Sequence, residues 1–101
     1  MSREQFKVGD FIQHFKREDN PEGFNHCYKV IAVNAMHTET GERFLVYQSV
    51  VDTTKVYVRH MEMAMSEVDK EKYPNYKQTY RLEKIADPIL WYNIVEELKD
   101  K

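Results

Sequence analysis

The chain has 101 residues, of which 42% are apolar and 32% charged, so it suits one compact core and is too short for two. This composition excludes intrinsic disorder of the whole chain, and a formal net charge of -2 excludes a general attraction to nucleic acid or anionic lipid. Charges interrupt every apolar run, so no membrane partner is expected. The single cysteine, Cys27, cannot form an internal disulfide, and no signal peptide is recognisable, so a cytoplasmic location is expected.

The first predicted strand covers residues 11–16 and follows a Gly-Asp step that suits a turn. Phe11 and Phe15 fall on one face of this strand and Ile12 on the other. Apolar side chains on both faces predict a strand that is partly covered on both sides. Residues 17–25 bring Asn, Pro and Gly close together and predict a loop.

Two further strands are predicted over residues 27–36 and 43–51, which are rich in β-branched and aromatic side chains. The stretch HTETGE between them predicts a hairpin, in which a type I turn ends at Gly41 with a positive φ. A polar turn at residues 52–54 leads to another alternating segment, residues 55–61. These segments together predict a three-stranded meander.

The methionine-rich segment that follows fits two patterns. Met61, Met63 and Met65 alternate as in a strand, whereas Met61, Met65 and Val68 also share one helical face. We favour the strand, followed by a short turn or helix. A last strand is predicted over residues 79–85, after a Pro-Asn turn.

The C-terminus carries helix signals, with Asp87 as the N-cap and Pro88 at the first helical position. The predicted helix covers residues 87–99. Its apolar side chains fall on one face: Trp91, Ile94, Val95 and Leu98. Because a helix of this length is marginal alone, this face must pack on the sheet or on a second copy of the chain, which would make a homodimer.

These elements predict a mainly β fold with one C-terminal α-helix. The architecture is a small five-stranded Src-homology-3-like barrel or a curled antiparallel sheet. One domain covers residues 1–101, with the β core at residues 6–85. Because small barrels commonly serve as binding modules, a binding function is expected before an enzymatic one.

A series of segments along the chain closely resembles domain-of-unknown-function family 1653, a set of small, mostly bacterial proteins. The segments are, in order, VGDFIQHFK, YKVIAVNAMHTETGE, LVYQSV, VYVRHMEM and YRLEKI. The resemblance covers about residues 8–85. The chain has Gln13, Tyr57 and His60 where the family usually has arginine, tryptophan and proline. The resemblance implies a small β fold and a bacterial source, and it assigns no activity to any residue.

Five polar side chains are predicted to meet at the rim of the barrel as ligand-binding candidates: His14, His37, Glu39, Tyr47 and Arg59. The planar guanidinium of Arg59, beside a tyrosine and a histidine, suits a carboxylate or a phosphate. The set predicts a binding or accessory module for an unknown protein or a small anionic ligand. Alternatively, Arg59 pairs with Glu39 or Glu62, and Tyr47 only covers the core.

Residues 72–81 interleave cations with tyrosines and contain no acidic residue. The nucleic-acid candidates are Lys72, Tyr73, Tyr76, Lys77, Tyr80 and Arg81. Tyrosines can stack on unpaired bases while cations meet phosphates, so RNA or single-stranded DNA is the alternative partner. A simpler interpretation is a loop whose tyrosines cap the barrel.

Metal and catalytic chemistry have little support in the sequence. The histidines, His14, His26, His37 and His60, form no His-x-x-x-His pair, so neither a metal ion nor another cofactor is predicted. His26 precedes Cys27, but neighbouring strand residues point to opposite sides, which argues against a thiolate with its base. No catalytic residue is predicted, and an enzyme using His37 on a small metabolite is the least favoured function.

Overall fold

The computed structural model, which describes residues 5–100, contains five strands and three helical segments. The elements are, in chain order, β1 (Phe11–His14), a 3-10 helix (Phe15–Asp19), β2 (Cys27–Met36), β3 (Arg43–Ser49), β4 (Val56–His60), α1 (Met61–Ala64), β5 (Leu82–Lys84) and α2 (Pro88–Lys99). The predicted domain limits at residues 1 and 101 lie outside the described residues.

The strands form one antiparallel sheet with the order β4-β3-β2-β1-β5. Strands β4 and β5 are its edges, because no ladder joins them within residues 5–100. The mainly β fold with a C-terminal helix is therefore confirmed, whereas the closure into a barrel is not, since this sheet is open. None of the helices in residues 5–100 has the length and apolar content needed to cross a bilayer.

Strand β1 has a buried core on each side of it. Ile12 is fully buried on the face that we call the inner face, where it packs with Val30 and Leu45. Phe11 points to the opposite, outer face and packs with Ile94 of α2. The prediction of a strand covered on both sides is confirmed, and it follows from the two-residue alternation of a strand.

The predicted first strand ends two residues early, at His14. The imidazole Nδ1 of His14 accepts a hydrogen bond from the backbone N–H of Lys16 at 3.1 Å and caps the 3-10 helix. A side-chain cap of this kind competes with strand pairing. The turn moves Phe15 into a separate pocket, where its ring centroid lies 5.0 Å from those of Tyr73 and Tyr76.

The hairpin between β2 and β3 has the predicted turn. Gly41 has a φ of 75°, and its N–H donates to the carbonyl of His37 at 2.8 Å. The N–H of His37 donates in turn to the carbonyl of Glu42 at 2.8 Å. The hairpin therefore depends on a backbone conformation that glycine adopts without strain.

Gly41→Ala should lower the free energy of unfolding by about 1 kcal/mol, because an L side chain is disfavoured at a positive φ. No atom lies within 4 Å of the added Cβ, so the loss would come from the backbone alone. Gly23→Ala is the matched control, since Gly23 has no positive φ and its Cβ would make only ordinary contacts. Urea titration of both variants tests this, and equal losses would contradict it.

Strand β2 is irregular, because its 10 residues run beside only 7 residues of β3. The register shifts between Val30 and Ala32 and again between Ala32 and Ala35. Asn34 lies inside the second irregularity and has a φ of 57°. Such bulges re-aim the side chains that follow them, so the simple alternation of a strand does not extend along the whole of β2.

The methionine-rich segment is helical, so the predicted strand over Met61 to Met65 is wrong. It forms α1, in which Ala64 is fully buried. Met61 and Met65 pack against the inner-face core, whereas Met63 is 48% exposed. The segment adopts the helical conformation because this places Met61 and Met65 on one face, where both pack against the core.

The last strand is shorter than predicted, because β5 begins only at Leu82. The Glu83 carboxylate accepts the backbone N–H groups of Thr79 and Tyr80 at 3.0 and 2.9 Å. These bonds hold the preceding residues in a turn. A side-chain acceptor has therefore taken backbone donors that the predicted strand would have used in a ladder.

Helix α2 begins as predicted, with the Asp87 carboxylate accepting the N–H of Ile89 at 2.9 Å. It packs on the outer face of its own sheet, where Ile94 is fully buried and the Trp91 ring meets Phe11 at 4.6 Å between centroids. The buried face also includes Leu90 and Leu98. Val95, which was predicted on this face, is 39% exposed.

Candidate functional site

Three tyrosines lie side by side on the inner face, one on each of β2, β3 and β4. Tyr47 lies directly opposite Tyr57, and their ring centroids are 5.7 Å apart. The Tyr28 centroid lies 4.9 Å from that of Tyr47 and 5.9 Å from that of Tyr57. Burial, with the two neighbouring phenols, raises the pKa of Tyr28 to about 12, although Arg59 acts in the opposite direction. The Tyr28 phenol therefore keeps its proton as a donor at neutral pH.

Arg59 follows Tyr57 by two residues on β4 and projects from the same face. Its side chain is half-buried. The guanidinium makes no ion pair and no hydrogen bond with any residue in the range 5–100. The alternative in which Arg59 pairs with Glu39 or Glu62 is therefore not found there. A guanidinium buried in part without a partner is unusual, because its desolvation is not compensated.

His14 lies in the field of this arginine. Burial and then the charge of Arg59 lower the pKa of His14 to about 4, with smaller contributions from His26, Lys16 and Arg81. The imidazole is thus neutral at pH 7. Because Nδ1 accepts the N–H of Lys16, the proton of the neutral ring is on Nε2, which is a hydrogen-bond donor.

Arg81 joins this site from the turn before β5. Its charge acts on His14, and its Nε is buried without a hydrogen-bond partner in the described part of the chain. Three cations therefore lie close enough to His14 for their charges to act on it, and we call Lys16, Arg59 and Arg81 the cationic cluster. None of the three forms an ion pair within residues 5–100. Such a concentration of positive charge is notable in a chain whose formal net charge is -2.

Residues 10–84 match the model of a family described as Protein of unknown function (DUF1653). The chain belongs to this family. The DUF1653 match covers all five strands and the whole cationic cluster, and it ends before α2. The resemblance inferred from the sequence is therefore confirmed. No match was found among curated proteins or among solved structures.

Within the DUF1653 region, the structure brings together His14, Tyr47 and Arg59 of the five predicted ligand-binding residues. His37 and Glu39 lie apart from them, in the exposed hairpin at the other end of β2. His37 Nδ1 accepts the N–H groups of Glu39 and Thr40 at 3.2 and 3.3 Å. The His37 imidazole therefore stabilises the hairpin turn.

The predicted nucleic-acid residues of the DUF1653 chain also separate. Tyr73 and Tyr76 pack on Phe15, and the Tyr76 phenol donates to both Asp19 carboxylate oxygens at 2.9 and 2.7 Å. The ammonium of Lys72 lies 5.4 Å from the Tyr73 ring centroid. The exposed Lys77 and the half-buried Tyr80 lie in the turn that leads to Arg81. Of this set, only Arg81 is part of the cationic cluster.

Sequence reasoning missed Tyr28, Tyr57 and Arg81 as members of the site. Tyr57 could have been found, because the alternation that places Tyr47 inward also places Tyr57 beside it on the next strand. Tyr28 required the register of β2 against β3, which the sequence did not supply. Arg81 required the non-local pairing of β5 with β1.

In the described part of the chain, Cys27 and the histidines are not grouped as a metal site would require. Within residues 5–100, no group of three or more His, Cys, Asp or Glu side chains is placed to hold a metal ion. Cys27 is buried in the outer-face core, as its apolar character predicted, and burial raises the pKa of its thiol. A protonated, buried thiol is a poor nucleophile, so the chemistry of the site rests on the inner face.

Proposed function

We propose that this protein is a cytoplasmic binding module that holds a small anionic ligand on the inner face of its sheet. The observation that carries the proposal is the cationic cluster, in which, among residues 5–100, Arg59 has no carboxylate partner and Arg81 has a buried Nε without an acceptor. A buried donor without an acceptor is destabilising until a ligand supplies one. An anion is the ligand that would satisfy both groups.

The surroundings of the cluster suit an anion with several oxygens. Guanidinium groups donate in a fixed fork that matches a carboxylate or a phosphate. His14 adds the Nε2–H donor, and Tyr28 adds a protonated phenol. Burial and then repulsion from nearby cations lower the pKa of His14 in the free protein, and a bound anion would relieve the repulsion.

Arg59→Met should weaken the binding of inorganic phosphate, sulfate or malonate at least tenfold, which corresponds to about 1.4 kcal/mol. Isothermal titration at low ionic strength measures this. Arg43→Met is the matched control, because Arg43 is exposed at the start of β3 and should leave the affinity unchanged. Because Arg59 has no ion pair to lose within residues 5–100, its replacement should not lower the melting temperature of the free protein. Equal affinities of Arg59→Met and the parent, or no binding of any of the three anions at millimolar concentration, would contradict the proposal.

The other two functions have less support. RNA or single-stranded DNA binding through residues 72–81 needs available tyrosine faces, yet Tyr73 and Tyr76 pack on Phe15. An enzyme that uses His37 as an acid or base needs an imidazole free to exchange a proton, yet its Nδ1 holds the hairpin turn. Anion binding on the inner face therefore remains the better supported function.

A further inference from the structure

A cavity of about 300 Å³ opens beside the cationic cluster, between the start of β2 and the start of β4. Its aromatic wall consists of Tyr28, Tyr57 and His26, and its ammonium groups come from Lys16 and Lys55. Lys16 belongs both to the cavity and to the cluster, and Tyr28 lies within the field of Arg59. Lys16 and Tyr28 therefore connect the cavity to the cluster, and the volume of the cavity is at the lower end of small-molecule pockets.

His26 occupies this cavity wall in a strained backbone conformation. Its φ is 65°, a region that glycine adopts freely and that a residue with a side chain adopts with strain. Its carbonyl accepts the N–H of His14 at 2.9 Å, which a glycine carbonyl would do equally well. The imidazole makes no hydrogen bond within the described residues, and its ring contact is with His14 at 5.6 Å. The fold does not require this side chain, so the strain is explained if the ring serves the cavity.

The polar lining of the cavity suits a ligand that carries hydrogen-bonding groups in addition to a negative charge. Neither Lys16 nor Lys55 forms an ion pair within residues 5–100. Two carboxylates also line the cavity, but Asp19 accepts the Tyr76 phenol and Asp52 accepts the N–H and hydroxyl of Thr54. The amides of Asn20 and Asn25 complete the lining. One small cavity therefore contains cations, aromatic rings, and amide groups that can both donate and accept hydrogen bonds.

We infer that this cavity and the cationic cluster together bind a single nucleotide unit, with its base against the aromatic wall and its phosphate at Lys16. A base has a planar face for Tyr57 and His26 and polar edges for the amides of Asn20 and Asn25, while its phosphate meets the cations. This inference rests on the proposed anion binding and names the ligand of that site. The nucleotide can come from a free nucleoside monophosphate or from a single strand.

The experiment compares 5′-AMP, inorganic phosphate, adenosine and a tetra-adenylate by isothermal titration against the full chain. We expect 5′-AMP to bind at least tenfold more tightly than phosphate or adenosine alone, because only AMP reaches both parts of the site. A tetra-adenylate that binds more tightly than AMP would assign the nucleotide to a strand, and equal or weaker binding would assign it to the free compound.

His26→Gly tests the cavity without weakening the fold. Glycine relieves the positive φ, so the melting temperature should stay the same or rise, while the affinity for AMP should fall at least tenfold and the affinity for phosphate should change less than twofold. Asn34→Gly is the matched control, because it relieves the same strain in β2 at a residue that does not line the cavity, and AMP binding should be unchanged. Tyr57→Ala, at a residue that is 40% exposed, should also weaken AMP binding.

The outcomes separate the inference from the proposed function. If phosphate binds and depends on Arg59, but AMP binds no more tightly than phosphate, the nucleotide inference fails and anion binding stands. An unchanged AMP affinity in His26→Gly would likewise overturn the inference. If neither phosphate nor AMP binds, both the proposed function and the inference fail.

Discussion

Ile94→Ala should lower the free energy of unfolding by about 2–5 kcal/mol, the range for truncating a buried isoleucine to alanine. Ile94 is fully buried where α2 meets the outer face of the sheet, in contact with the core that contains Phe11, Cys27 and Val50. The substitution would leave a cavity between helix and sheet that the surrounding backbone cannot fully close. In a domain of this size, such a loss is a large part of the total stability.

Ile89→Ala is the matched control for this prediction. Ile89 lies in the same helix but is 71% exposed, so its truncation should change the free energy of unfolding by less than about 0.5 kcal/mol. Ile94→Val should fall between them, at about 1 kcal/mol, and keeps the test usable if the alanine variant does not fold. Urea unfolding followed by the fluorescence of Trp91 measures all three. Similar losses at both positions would mean that α2 does not pack on the sheet through Ile94.

The same helix illustrates what the sequence predicts well. Asp87 and Pro88 mark its start through local chemistry, since a side-chain acceptor and a fixed φ act only on the first turn. Gly41 is predictable for the same reason, because the turn itself requires the positive φ. Val95 and Leu90 show that the buried face of the helix is harder to predict than its start. Which residues complete the buried face depends on how the helix axis lies on the sheet, which is not a local property.

Neither the open sheet nor α1 could be predicted from local sequence patterns. An alternating segment shows that a strand exists, but barrel closure depends on whether β4 and β5 pair, and the chain instead pairs β5 with β1. The segment from Met61 to Met65 satisfied both periodicities, and tertiary burial of Ala64 decided in favour of the helix. Pairing partners and burial both arise from contacts distant in sequence, so a single segment cannot determine either.

The candidate site was predictable in part, for a related reason. His14, Tyr47 and Arg59 could be grouped because strand alternation places their side chains on one face of β1, β3 and β4. His37 was misplaced because β2 is long and has two register shifts, so its far end lies away from the tyrosines. His37 was therefore included in the site because of its chemical type alone, and the register of β2 against β3 shows that it lies elsewhere.

A falling pH should destabilise the protein through His14. Its pKa is about 4 in the folded chain, against 6.5 for an ordinary histidine. Between these values the unfolded chain binds a proton that the folded chain does not, so the stability present above pH 6.5 is lost as the pH falls towards 4. The loss amounts to roughly 1–2 kcal/mol, after allowance for solvent screening of a half-buried ring. Urea unfolding at pH values from 4 to 7 measures it.

His14→Asn provides the comparison, because asparagine can still accept the N–H of Lys16 at the start of the 3-10 helix but does not titrate. The difference in unfolding free energy between the parent and this variant should therefore change with pH between about 6.5 and 4. A difference that stays constant over this range would show that His14 titrates normally and does not lie in the field of the cationic cluster.

The cause of the depressed pKa can be tested separately by nuclear magnetic resonance titration of the His14 ring. Burial is the largest cause and the charge of Arg59 the next, so Arg59→Met should raise the pKa of His14 while leaving it below 6.5. Arg43→Met should not change it.

Saturating phosphate should raise the same pKa in the parent, because a bound anion opposes the charges of Lys16 and Arg81 on the imidazole. Since binding and protonation then stabilise each other, sulfate, whose own charge is constant from pH 4 to 7, should also bind more tightly as the pH falls towards the pKa of His14. An unchanged pKa in both Arg59→Met and the phosphate-bound parent would place the guanidinium away from His14 and remove the physical basis of the site.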